Sequence, residues 1–308
     1  EWYESKSMCI LTSQMDYLDN LVWLYAKIRQ FRLTDCEDAV KFIEKRYDEY
    51  FRMVYLNNMS AEYFDFVMDH AAEYFDKKEI PNHYLNRQHQ FSLNTYHDSW
   101  KLRGDNPEFY KKGYFRIDGC LLSDWDHFGV NKIFPDNYQI RYNPEAAFLY
   151  HLYHFNPGVK VEGNKKTEIK VNPCIVKAAE RVQKKMQEMI AKKGIGIETN
   201  PSSNYMIGSF KRYDKHPITT WYNHDLTNDP ILLEQCPQIP VSINTDDQGV
   251  FSTYIENEYA LMALALEKAV DKDGKRMYNR TMVYHWLDRI REMGIEQSFA
   301  PLERNGWE

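Results

Sequence analysis

The chain has 308 residues, 43% of them apolar and 15% aromatic, with a formal net charge of −6 over mixed signs. That composition excludes a disordered tail and, having no basic stripe, gives no direct nucleic-acid signal. No run of about 18 apolar residues exists to span a membrane, and the length allows one large domain or two ordinary ones.

The helical period opens the chain. Leu18, Leu21, Val22, Tyr25 and Ile28 share one face within a helical stretch over 13–77. Thr34-Asp35-Cys36-Glu37 reads as a capping box for a second helix, with Val40, Ile43, Tyr47, Phe51 and Val54 inward. Ser60 is placed to cap a third, to about Phe75. Residues 78–140, rich in Asn, Asp, Gly and aromatics, support no assigned element. Asn143-Pro144 predicts a cap and first-turn proline opening a helix through His154, which Asn156-Pro157-Gly158 ends. Residues 159–171 read as a charged connector, with Gly163-Asn164 suited to a small hairpin.

A long helix is expected from about Pro173 to Lys192, ended by Lys193-Gly194. Ile195–Thr199 is short, apolar and strand-like, and Asn200-Pro201 breaks it. About forty residues later PVSINTDD repeats the form. Thr253-Tyr254-Ile255-Glu256 reads as a capping box opening a helix to about Val270. Asp271–Gly274 is a connector, and a last helix covers about Thr281–Met293. Helix, strand, crossover, strand, helix predicts an α/β fold with parallel strands, in which loops after the strands carry function.

Both strands end in polar groups: Asn200, Ser202, Ser203 and Asn204 after the first, Thr245, Asp246 and Asp247 after the second. Successive strand side chains face opposite ways, so Asp246 and Asp247 do not duplicate one another. One reading is a metal-binding carboxylate beside a ligand-binding one. The other is turn or helix-cap chemistry, and spacing alone leaves the two level. His151 and His154 share a helix face, with no third ligand in view, so packing or a subunit contact is the reading preferred there.

The five cysteines, Cys9, Cys36, Cys120, Cys174 and Cys236, never fall in C-x-x-C spacing. They read as reduced thiols of a cytoplasmic protein. The first residue is Glu, with no signal peptide before it, which reads as a processed, trimmed or excerpted chain.

ETNPSSNYMIGSF, YDKHPI and PVSINTDDQGVFSTYIENEYALMALAL together resemble the C-terminal portion of the adenosine deaminase family, metal-dependent aminohydrolases on a (β/α)8 barrel. With YHLYHFNP at 150–157, the wording is most similar to the long anti-phage deaminases of the RADAR and CRISPR-associated types. The resemblance implies the last two strands of a TIM-type barrel with a large, mainly helical insertion. Residues 1–172 would be the insertion and assembly region, and 173–308 the last two βα units. Asp246 would bind Zn2+, and Asp247 would hydrogen-bond the purine; both are the catalytic candidates. Asn200, Ser202, Asn204 and His216 are further candidates for substrate contact. Ser202 and Asn204 also fit as backbone partners at the strand end, and His216 as a loop-fixing hydrogen bond.

The implied reaction is hydrolytic deamination of adenosine or an adenine nucleotide, in a cytoplasmic homo-oligomer. The family's H-x-H, its H-x-G-E-like segment and its histidine near the sixth strand are absent here. Zinc needs three or four protein ligands, so the expectation is that a missing N-terminal half supplies the rest and that this chain alone is inactive. The alternative is a catalytically incomplete scaffold or oligomerisation module.

Overall fold

The computed structural model describes residues 9–59, 91–110, 140, 143–208 and 210–298. The expected third helix from Ser60, and most of 78–140, lie outside them. The described residues are helix-rich α/β, with two two-stranded sheets. The chain divides into two compact units, one reaching to Val182 and one beginning at Gln183.

In the first unit, β1 (Cys9–Ser13) leads directly into α1 (Gln14–Gln30), whose cap is Ser13: its hydroxyl accepts the Asp16 N–H. α2 (Glu37–Val54) follows a 3-10 turn at Thr34–Cys36. The capping box expected at Thr34 does not form, because Thr34 is already inside that turn and Cys36 stands at the cap position without a side-chain bond. α3 (Leu93–Lys101) is capped by Ser92.

Asn143 caps α4 (Pro144–Phe155) as expected, taking the Glu145 and Ala146 amides. Ala146 to Tyr150 and Leu152 are fully buried, so α4 is the central helix of this unit. The connector reading of 159–171 is corrected. Asn156 caps a further helix, α5 (Pro157–Gly163). β2 (Lys166–Lys170) then pairs antiparallel with β1, from Cys9↔Lys170 to Ser13↔Lys166, so no local hairpin forms at Gly163-Asn164.

The core of this unit is aromatic and hydroxylated. Tyr55, Tyr96, Tyr110, Phe148 and Tyr150 are all almost completely buried. The Tyr96 hydroxyl donates to Asp19 Oδ1 at 2.8 Å, and Arg103 grips the same carboxylate with both Nη atoms. The guanidinium also lies 3.9 Å from the Tyr153 ring centroid. His151 Nδ1 meets the Tyr110 carbonyl at 2.8 Å, and His154 packs edge-on against Tyr150. Both imidazoles thus make contacts within this unit.

α6 (Pro173–Lys192) ends as predicted at Gly194, whose φ of +64° is the left-handed turn glycine favours. The second unit holds β3 (Ile197–Thr199), α7 (Pro201–Ile207), α8 (Ile218–Trp221), α9 (Pro230–Gln235), β4 (Val241–Ile243), α10 (Gln248–Phe251), α11 (Ile255–Glu267) and α12 (Arg280–Glu296). β3 and β4 pair in parallel, Ile197↔Val241 to Thr199↔Ile243, as the element order predicts. One core joins Val241, Ile243, Met262, Leu266, Val283, Trp286 and Ile290. Buried Trp286 donates its indole N–H to the Tyr222 carbonyl. The capping box expected at Thr253–Glu256 is overturned: Thr253 gives its hydroxyl to the buried Glu258 instead, and α11 starts without a side-chain cap. No described helix is long and apolar enough to cross a membrane.

Candidate active site at the ends of the parallel strands

Parallel strands deliver their C-terminal ends to one side of the sheet. Asn244 N donates to the Thr199 carbonyl at 2.8 Å, and Thr199 Oγ1 to the Ser242 carbonyl at 2.7 Å. The two polar segments seen in the sequence therefore leave the sheet side by side.

Pro201 takes the first position of α7, leaving Ser202, Ser203 and Asn204 in its first turn. Three consecutive helical residues point about 100° apart, and each here meets a different partner. Ser202 gives its amide and hydroxyl to Glu258 at 2.8 and 2.6 Å. Ser203 Oγ donates to Asp246 Oδ2 at 2.7 Å. Asn204 Oδ1 accepts from Asn200 N and from His216 Nε2, both at 3.1 Å. The Asn200 amide nitrogen, oriented as its neighbours require, turns back to the Thr199 carbonyl and the Glu198 carboxylate.

His216 is 1% exposed. Ile218 N donates to its Nδ1, so the ring proton sits on Nε2 and goes to Asn204. Burial pulls this imidazole from its ordinary value of 6.5 down to about 4. His216 is thus a neutral brace between loop and helix, with both nitrogens engaged inside the protein.

Asp246 and Asp247 are exposed. Asp246 has a φ of +60°, a left-handed backbone that Asp tolerates better than most residues. Asp247 caps α10 by accepting the Gly249 and Val250 amides on Oδ1 at 2.9 and 3.3 Å. The cap chemistry is therefore present, and it occupies one oxygen. Neither carboxylate pairs with a cation among the described residues. The structure thus brings Asn200, Ser202, Asn204, His216 and Asp246 into one connected cluster, with Asp247 beside it. Glu258 was not among the sequence candidates for the site. Its signal was the second acid of the E-x-E-Y helix, five residues after Thr253.

The described residues do not make a zinc site. They bring no three acids, histidines or cysteines together, and Asp246 offers one carboxylate against the three or four protein ligands that zinc requires. What they present is a positioned, unneutralised carboxylate at a strand end.

Residues 176–298 match the adenosine deaminase family. A 78-residue stretch is 36% identical to an adenosine deaminase of Plasmodium gallinaceum, covering 25% of this chain and 18% of that protein. The chain thus aligns with less than a fifth of that relative's length. The adenosine deaminase match takes in β3, β4 and every residue of the cluster just described.

Proposed function

We propose that residues 173–308 are the last two βα units of a zinc-dependent purine aminohydrolase, a hydrolase of a C–N bond acting on adenosine or an adenine nucleotide. The carrying observation is the Asp246 carboxylate, set at the end of a parallel strand by Ser203 from the neighbouring strand's loop within a segment that matches adenosine deaminases. Asp246 supplies one protein ligand to the metal. The remaining ligands and the proton-transferring groups come from polypeptide outside the described residues. Asp247 keeps one oxygen on its cap and directs the other to the purine ring. The exposed Met206, Ile207, Val250 and Tyr254 flank these loops and suit burial by that further polypeptide. The similarity in wording to long anti-phage deaminases extends the reading to a cytoplasmic homo-oligomer in bacterial defence, with residues 1–172 as its insertion and assembly region.

A scaffold reading has one observation in its favour, the cap that Asp247 makes. The test is zinc content and ammonia release with adenosine and ATP, measured on the complete polypeptide. Asp246→Ala is expected to lower activity at least ~100-fold and to lose zinc. Asp246→Ala with zinc retained rules out the ligand role, and a metal-free, inactive parent protein leaves the scaffold.

A further inference from the structure

We propose that Glu258 is a positioning residue for Asp246, acting through the first turn of α7. Glu258 is completely buried on α11. Buried carboxylates are stable only when their oxygens are satisfied, and this one takes three donors. Oε2 accepts the Ser202 amide, and Oε1 accepts the hydroxyls of Ser202 and Thr253, both at 2.6 Å. None of these bonds reaches Asp246. Their effect is to fix the backbone at Ser202.

Ser203 is the next residue, 1% exposed, and its hydroxyl is the one that holds Asp246. On its other flank Asn204 is held by Asn200 and His216. The helical turn is therefore anchored on both sides of Ser203, by Glu258 before it and by Asn204 after it. Asp246 needs such an anchor. Its backbone is left-handed, its side chain is exposed, and among the described residues it has no cation to hold it in place. Ser203 selects one orientation of the carboxylate, and Glu258 sets where Ser203 stands. Partners that orient a working carboxylate in this way contribute to function without touching substrate.

The inference rests on the reading of Asp246 as the working carboxylate, so the test carries two independent readouts on the complete polypeptide. The first is amide hydrogen exchange over 244–250. Glu258→Gln and Ser203→Ala should each speed exchange there, and the double variant should go no further than the faster single one. The second is steady-state deamination. Each variant should lower kcat by about tenfold to a hundredfold, with KM within about twofold, again without additivity. If Glu258→Gln does not fold, Ser202→Ala keeps the carboxylate, removes one of its donors and should show the same pattern more weakly. Faster exchange over 201–204 with none over 244–250, or additive losses in kcat, would overturn the proposal. A parent protein without deaminase activity defeats the functional reading alone, and the exchange data then decide the role of Glu258.

Discussion

Each unit of the molecule buries a polar cluster, and the two clusters end differently. In the first, Asp19, Arg103, Tyr96 and Tyr55 bond to one another beneath an aromatic core, and the Asp19 carboxylate is held by two partners. In the second, bonds run from buried Glu258 and buried His216 through the first turn of α7 to Asp246, which is exposed. A network whose bonds close on one another inside a core stabilises a fold. One that starts in the interior and finishes on a solvent-facing carboxylate spends stability on orientation, a pattern expected where chemistry is done.

The contrast can be broken most forcefully in the first unit. Asp19→Ala leaves Arg103 without its carboxylate and the Tyr96 hydroxyl without its acceptor. It should cost about 3 kcal/mol in urea unfolding, while leaving kcat per folded molecule unchanged. A catalytic loss at full stability would show that the first cluster is not purely structural.

A smaller effect is expected at His216. Its folded value of about 4 lies below the ordinary 6.5, so between those values the unfolded chain binds a proton that the folded chain refuses. The contribution is complete above pH 6.5 and is lost as pH falls toward 4. Stability of the wild type should drop by about 2 kcal/mol more than that of His216→Gln between pH 7 and pH 5. Parallel pH curves for the two proteins would mean that this imidazole is not held neutral.

The smallest effect is at the bend before β3. A Cβ at Gly194 would meet no atom within 4 Å, so Gly194→Ala isolates the cost of the left-handed backbone. It should be about 1 kcal/mol by thermal unfolding, and Gly194→Asn should recover part of it. Equal stability of Gly and Ala would show that the turn is not left-handed in solution.

The features legible in the sequence are those made by neighbours. Asn143 caps the helix that follows it, Gly194 ends the helix before it, and the two polar strand ends are visible as NPSSN and TDD because their chemistry lies within a few residues. What escaped depends on distant partners. β1 and β2 pair across about 150 residues of chain, and neither segment shows the other. Thr253 has the spacing of a capping box, but Glu258, buried by packing that no local pattern reveals, takes its hydroxyl first. At the site, the sequence placed Asp246 and Asp247 side by side after a strand without showing the partner of either. Only the fold gives Asp246 its serine and Asp247 its helix cap.

The antiparallel ladder of Cys9–Ser13 with Lys166–Lys170 carries a topological consequence. Ser13 and Lys166 are cross-strand neighbours, about 5 Å apart at Cα, so the polypeptide departs and comes back at one spot. The helices α1 to α5, with the buried aromatic core they carry, all fall within the loop of chain that this ladder closes. The entropic cost of closing such a loop grows only slowly with its length, so the segment it encloses can be long at little further cost to the ladder.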